Sequence, residues 1–171
     1  VFDDGSGPAV FVAGQFGHAG NAVAPGLARW DGKTWSSVPG SPAGTIYDLF
    51  VFDDGRGPKL YVGGLLSVNG ANRLMTWDGA AWEAVPGNLT GGAILAMDVF
   101  DDGTGPHLYV AGGFTSIGQV PANNIAKWNG QTWSALAGGI GDSAVRALAV
   151  FDYGAGPQLY AGGGFTLVDG H

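Results

Sequence analysis

The feature that most constrains this chain is that it repeats itself. The tripeptide Val-Phe-Asp occurs at Val1, Val51, Val99 and Val150, at spacings of 50, 48 and 51 residues. Each copy runs on into Gly-x-Gly-Pro, at Gly5/Gly7/Pro8, Gly55/Gly57/Pro58, Gly103/Gly105/Pro106 and Gly154/Gly156/Pro157. An apolar stretch follows: Val10-Phe11-Val12, Leu60-Tyr61-Val62, Leu108-Tyr109-Val110 and Leu159-Tyr160-Ala161. Self-similarity at a fixed period marks a fold of stacked units, whose cores form between neighbours rather than inside one unit. At 171 residues the chain holds about three and a half such units.

Each period contains four short strand candidates. The first covers 46–53, 94–101 and 145–152, is rich in Val, Ile, Phe and Leu, and ends at a Gly/Pro cluster. The second covers 10–16, 59–66, 107–114 and 158–165. The third covers 27–30, 74–77 and 125–128, and the fourth 34–38, 81–85 and 132–136. With Gly at 33 and Pro at 9 residues, turns dominate and long helices have no room. Asp31-Gly32, Asp78-Gly79 and Asn129-Gly130 separate the third and fourth candidates, and such dipeptides favour tight hairpin turns. Two Trp flank each hairpin: Trp30/Trp35, Trp77/Trp82 and Trp128/Trp133. A two-residue turn makes them diagonal neighbours, and a four-residue loop sets them directly opposite. Both registers put the two rings on one sheet face. A ring pair buries roughly 300–500 Å², so the adjacent repeat is expected to pack on it.

The pattern Leu-Tyr-Val-Gly-Gly-Phe-Thr followed by Asn-Ile-Ala-Lys-Trp-Asn-Gly-x-Thr-Trp-Ser-Ala-Leu resembles kelch-type propeller repeats. It is most similar to the kelch-like variety of fungal cortical polarity-marker proteins and of large secreted bacterial repeat proteins. The Gly pair stands at Gly63-Gly64 and Gly112-Gly113 and the hairpin Trp at Trp82 and Trp133, while Gln15 and Leu65 depart from the Gly-Gly-Phe pattern. The resemblance covers the whole chain. It implies an all-β fold, a β-propeller of four-stranded antiparallel blades of about 50 residues. The Val-Phe-Asp strand would be innermost and the Trp-Ser strand outermost. The Gly pair would then permit close approach near the axis. The expected blades are 1–40, 45–86 and 93–137, with half a blade at 144–166. They read as one segment of a longer array, or as a unit whose open edges are covered by neighbouring blades, partners or self-association. The resemblance implies no reaction, because propellers host many functions.

Charge and composition narrow the function. Seven basic residues against fourteen acidic ones give a net charge of −7, and a nucleic-acid partner calls for a basic patch instead. No Cys is present, which removes disulfide scaffolds, Cys-ligated zinc and thiol catalysis. No apolar run reaches the ~18–20 residues of a membrane span. Low Lys content and acidity fit an extracellular or cell-surface protein. The opening Val1, inside a strand candidate, fits a mature or excised piece of a longer chain.

In an up-down-up-down blade the first and third loops share one side. Asp3, Asp4, Asp31, Asp53, Asp54, Asp78, Asp101, Asp102 and Asp152 are therefore expected together. These acids either build turns or form a cation-facing surface. Asp3, Asp4, Asp53, Asp54, Asp101 and Asp102 are the calcium candidates, although one Asp-Asp pair falls short of the six to eight oxygens Ca²⁺ takes. No other cofactor is indicated. The opposite side carries the second loops (17–26, 67–72, 116–123) and the fourth (39–44, 86–92, 137–142), which vary most between copies. Binding variation in repeat folds sits in such loops. Their polar groups include His18, Asn21, Asn69, Asn72, Arg73, Gln119, Asn123 and Asn124. Tyr47, Leu95 and Arg146 occupy one equivalent first-strand position, and Asp48, Ala96 and Ala147 the next. Asp48 and Arg146 interrupt apolar runs and are candidates for a central channel.

Catalytic constellations are poor. His18 and His107 are expected on opposite sides, and His171 is terminal. Gly141-Asp142-Ser143 lacks the setting of a serine nucleophile, and Glu83 is the only Glu. Nothing marks a carboxylate pair of the kind glycosidases use, and no phosphate-cradling Gly loop is present. Asn88-Leu89-Thr90 is a glycosylation sequon in a eukaryotic secretory setting. The expectation is a non-enzymatic module for protein or glycan interaction or scaffolding. The alternatives are part of a carbohydrate-active hydrolase or lyase with catalytic residues elsewhere, and a self-assembling fibre or surface-layer unit.

Overall fold

The computed structural model describes residues 1–168; His171 lies outside the described residues. The described chain is all-β, built of antiparallel strands without a helix. Among the described residues no helix is long and apolar enough to cross a membrane. The chain divides into two compact units, Val1–Val85 and Pro86–His171.

The first unit contains β1 (Phe2–Asp3), β2 (Pro8–Ala13), β3 (His18–Ala19), β4 (Ala22–Val23), β5 (Leu27–Trp30) and β6 (Trp35–Ser37). It continues through β7 (Gly44–Asp53), β8 (Pro58–Val68), β9 (Ala71–Asn72), β10 (Met75–Trp77) and β11 (Trp82–Ala84). Two four-stranded meanders result, β1-β2-β5-β6 and β7-β8-β10-β11. The short strands β3, β4 and β9 lie in segments expected as loops. The second unit contains β12 (Leu89–Asp101), β13 (Pro106–Ile117), β14 (Val120–Pro121), β15 (Ile125–Trp128), β16 (Trp133–Ala135), β17 (Val145–Phe151) and β18 (Gln158–Gly163). It forms a third meander, β12-β13-β15-β16, and a two-stranded ribbon, β17-β18. In every four-stranded sheet the Val-Phe-Asp strand is at one edge and the strand that opens with the second hairpin Trp is at the other. This is an all-β arrangement compatible with propeller-like repeats.

The cores lie between sheets, as a repeat fold requires. In the first unit Phe2, Leu27 and Val38 of one sheet join Ile46, Leu60, Val62, Leu66, Met75 and Trp77 of the next. In β8 and β13 the stretches Leu60-Tyr61-Val62 and Leu108-Tyr109-Val110 are buried without alternation, whereas Val10 and Val12 of β2 and Tyr160 of β18 are exposed.

The hairpins choose the longer of the two loops left open by sequence. Trp30 pairs directly with Trp35, Trp77 with Trp82 and Trp128 with Trp133. Their ring centroids are 5.1, 5.1 and 5.0 Å apart at tilts of 43°, 36° and 41°. The Asp is not a second positive-φ residue of a tight turn. Its Oδ1 accepts the amides two and three residues on, from Lys33 and Thr34 to Asp31 at 2.8 and 2.7 Å, and from Ala80 and Ala81 to Asp78 at the same distances. Asn129 does the same for Gln131 and Thr132. Only the Gly of the pair takes positive φ.

The Gly pair also has a different cause from the one expected. The register slips by one residue where Ile46 and Asp48 face Gly64 and Gly63, and the same slip recurs at Ile94/Ala96 and Val145/Ala147. These are β-bulges, with Tyr47, Leu95 and Arg146 as the extra residues. A methyl on Gly64 would sit 2.1 Å from the Thr45 carbonyl oxygen, on Gly112 1.9 Å from that of Ala93, and on Gly163 2.4 Å from that of Ala144. The glycine admits the bulge of its own sheet.

Candidate functional site

The acidic loops are closed by their own carboxylates. In all four repeats the first Asp accepts two amides of the loop. Asp3 Oδ1 accepts Gly5 and Gly7, Asp53 accepts Gly55 and Gly57, Asp101 accepts Gly103 and Gly105, and Asp152 accepts Gly154 and Gly156, all at 2.7–3.0 Å. The glycines have positive φ, which turns their N–H groups inward.

In the first three repeats the second Asp ties the loop to its neighbours, with different residues each time. Asp4 Oδ2 lies 2.9 Å from Arg29 Nε on β5, and Asp102 Oδ2 2.5 Å from Lys127 Nζ at the same position of β15. In the second repeat that position is Thr76, and Asp54 instead pairs with Arg56 of its own loop at 2.6 Å. The hydroxyls of Tyr61 and Tyr109 donate to Asp54 and Asp102 at 3.2 Å. In the fourth repeat Tyr153 replaces the second Asp, and Tyr153 and Tyr160 both donate to Gln158 Oε1. The Lys127 ammonium and the Thr104 hydroxyl hold the Asp102 carboxyl well below the usual range. Burial raises Asp4 and Asp54, but the Ser6 and Arg29 contacts of one and the Arg56 and Tyr61 contacts of the other outweigh it, and both end lowered. Burial, with the Asp102 charge beside it, pushes Tyr109 up to about 12. Among the described residues no three His, Asp or Glu side chains converge closely enough to hold a metal ion.

Within the first unit the first and third loops meet. A methyl on Gly79 would fall 2.3 Å from the Asp4 carbonyl oxygen. The second and fourth loops meet as well: the Ser67 amide donates to the Ala43 carbonyl, and in the second unit the Gly118 amide donates to that of Asn88.

The eight polar residues of the variable loops divide by role. Asn123 and Asn124 have positive φ and act as clasps. The Asn123 amide group donates to Gly138 O, and that of Asn124 to Ile140 O at 2.7 Å and Ser143 O at 3.1 Å. Asn72 and Arg73 are half-buried at the strand entry, where the Arg73 amide donates to Leu66 O. His18, Asn21, Asn69 and Gln119 are exposed at loop tips. Asn69 holds a left-handed turn there, with φ of 52°. A concavity of about 420 Å³ in the first unit is lined by Gln15, Phe16, Pro25, Ser41, Pro42 and Thr45, of which only Gln15 stood out in the sequence, as a departure from the Gly-Gly-Phe pattern.

The channel candidates separate too. Arg146 is exposed at its bulge, whereas Asp48 is half-buried and accepts the Leu49 amide at 2.8 Å. A related acid escaped notice in the sequence. Asp98 accepts Val99 N through Oδ1 and Val150 N through Oδ2, both at 2.8 Å, and so joins β12 to β17. Asp98 stands where Phe50 and Ala149 stand in the neighbouring copies, and that break in the repeat was the available signal. Comparison with protein-family models, curated proteins and solved structures returns no match for this chain.

Proposed function

We propose that the chain is a segment of a kelch-like β-propeller that works without catalysis, as an interaction and scaffolding module at the cell surface or outside the cell. Its second- and fourth-loop side meets the partner, a protein or a glycan. The observation that carries this reading is the contrast between the two sides of the repeat. The Asp-rich loops are nearly identical from copy to copy, and their carboxylates are engaged in building the loop. The second loops differ in length and sequence, rest on the same scaffold and leave His18, Asn21, Asn69 and Gln119 exposed. Polar tips of this kind suit hydrogen bonding to hydroxyls and peptide groups. The acidic loops have an architectural role in this reading, and no cation takes part.

The test is a paired screen on glycan and extracellular-protein arrays. The chain is compared with a variant carrying His18→Ala, Asn21→Ala, Asn69→Gly and Gln119→Ala, the glycine preserving the left-handed turn. A ligand held by the chain and lost by the equally stable variant is expected. A ligand held equally by both would move the site elsewhere, and failure to hold any ligand would overturn the reading.

A further inference from the structure

Two Asn-Gly dipeptides occur in the chain, Asn69-Gly70 and Asn129-Gly130, and the fold treats them in opposite ways. In such a dipeptide the backbone attacks its own side chain with little hindrance, because glycine puts no Cβ beside the reacting nitrogen. The glycine nitrogen gives up its proton and bonds to the Asn Cγ. The Cγ–Nδ2 bond breaks, ammonia leaves and a cyclic imide closes. Water then opens the imide at either of its carbonyls. The product is Asp, or isoaspartate, in which the main chain runs through the former side-chain carbonyl. Asn and water become an acid and ammonia, and nothing is oxidised or reduced.

Asn129 is locked against this step. Its Oδ1 accepts the amides of Gln131 and Thr132 at 2.9 and 2.7 Å, and the Thr132 hydroxyl at 3.3 Å. Gly130 is buried. The loop is closed by Trp128 and Trp133, which pair directly with ring centroids 5.0 Å apart. Turning the Asn129 Cγ toward the Gly130 nitrogen breaks both amide bonds at once. The loop would accept the product, since Asp31 and Asp78 make the same bonds in the other two hairpins. The protection of Asn129 is therefore kinetic, a matter of how the reactant is held.

Asn69 has none of these restraints. With Gly70 it forms the tip of the β8–β9 ribbon, which is closed by Ser67 opposite Asn72 and Val68 opposite Ala71. Asn69 and Gly70 take φ of 52° and 78°, and both are exposed. Among the described residues the Asn69 carboxamide has no hydrogen-bond partner, and the space around the absent Gly70 Cβ is open within 4 Å. The left-handed turn must relax before the Gly70 nitrogen reaches Cγ. An exposed tip held by two facing pairs opens far more readily than the core does. We propose that Asn69 is a self-modification site, converted by its own Gly70 nitrogen and water to Asp and isoaspartate while Asn129 is spared. Each event adds one negative charge at the loop tip. The isoaspartate form also inserts a methylene into the main chain of a two-residue turn, which disturbs the pairing of Val68 with Ala71. The inference stands on loop geometry and is independent of the binding role given to that side of the repeat.

The test is peptide mapping of the full chain, kept folded in mildly alkaline buffer for weeks, against the same chain kept unfolded in guanidinium chloride. Trypsin places Asn69 in residues 60–73 and Asn129 in residues 128–146. Conversion is read as the mass gain of an amide turned to an acid, located by fragmentation. In the folded chain Asn69 is expected to convert at least about ten-fold faster than Asn129, the factor that breaking two hydrogen bonds implies. In the unfolded chain the two rates are expected to converge. A smaller ratio in the folded chain, or no conversion at Asn69, overturns the proposal. So does a ratio that persists in the unfolded chain, because neighbouring sequence and not the fold would then select the site. Gly70→Ala meets open space and backbone strain alone; it is expected to slow conversion at Asn69 and leave Asn129 unchanged. An Asn69 that converts as fast in that variant would show direct hydrolysis without the imide, and the proposed attack by Gly70 falls.

Discussion

Trp133 reaches back 47 residues in sequence to donate its indole N–H to the carbonyl of Pro86 at 2.6 Å, and Trp82 makes the same bond to Pro39 at 2.8 Å. The second Trp of each of these hairpins is thereby tied to the segment that ends the previous repeat. Gly40 and Gly87 follow those prolines; a methyl on Gly87 would come within a tight 3.2 Å of the Trp133 indole, whereas one on Gly40 would sit at an ordinary 3.5 Å from that of Trp82. The bond joins neighbouring repeats, a level at which a repeat protein gains much of its stability. Trp82→Phe keeps most of the ring and loses the bond, with an expected cost of about 0.5–1.5 kcal/mol in urea unfolding. Trp77→Ala, at a buried site inside the core, is expected to cost about 3–5 kcal/mol.

Asp98 bonds two main-chain amides on two strands, and it is half-buried. Asp98→Ala removes a charged acceptor from both, so a loss of about 1.5–3 kcal/mol is expected. Hydrogen exchange should locate the effect: the Val150 amide speeds up well before the centre of β13 does. Asp98→Asn retains one acceptor and is expected to fall between Ala and the natural chain. Uniform acceleration across the second unit would show that the residue acts through general packing instead.

The glycines sort into two classes of sensitivity. Gly105 has φ of +105° but open space around its missing Cβ, so Gly105→Ala meets backbone strain alone, about 1–2 kcal/mol. Gly112 has ordinary φ, yet a methyl would collide with the Ala93 carbonyl at 1.9 Å. Gly112→Ala must displace the bulge and is expected to be the worse substitution, costing about 1–3 kcal/mol or more and disturbing β12. Thermal unfolding of the two variants side by side checks the order.

The pH dependence has two arms. The carboxyls of Asp4, Asp31, Asp54, Asp78, Asp102 and Asp142 are all lowered from 3.8 by their hydrogen bonds and cationic neighbours. A depressed carboxyl stabilises the fold above its unfolded pKa, and that stability is lost as pH falls through the folded value. The melting temperature should therefore drop as pH falls below about 4. Tyr109 titrates in the opposite sense. Its pKa is raised from 10.0 to about 12, so its contribution is present below pH 10 and is lost as pH climbs toward 12. Tyr109→Phe should flatten the alkaline arm and, by removing one of the hydrogen bonds that lower Asp102, weaken the acid arm only slightly.

Calcium separates the architectural reading of the acidic loops from a cation-binding one. A ligand that binds only the folded chain raises its stability with concentration. Millimolar Ca²⁺ is expected to leave the melting temperature unchanged beyond the small screening effect that an equal ionic strength of NaCl produces. A rise specific to Ca²⁺ and removed by Asp3→Asn would reverse the assignment.

What the sequence determined by itself was the unit and its order. Four recurrences of Val-Phe-Asp, the Gly-x-Gly-Pro turns and the paired Trp define strands, turns and period, because these depend on local backbone preference and on alternation along a few residues. The third strands Leu27–Trp30 and Ile125–Trp128 lie where the pattern put them. The tertiary structure decided everything that depends on a neighbour. It chose the four-residue hairpin over the two-residue one, because the Asp carboxylate can take two amides and the Trp rings then stack directly. It assigned the invariant glycine to a bulge, a collision with a carbonyl across the sheet that one strand cannot reveal. It made Asn123 and Asn124 clasps and left His18 and Gln119 free at the tips, although all four read alike as polar loop residues. Asp98 stayed hidden among apolar neighbours for the same reason. A side chain's role is set by the amides that tertiary packing brings within 3 Å of it, and those of Val150 come from 52 residues away.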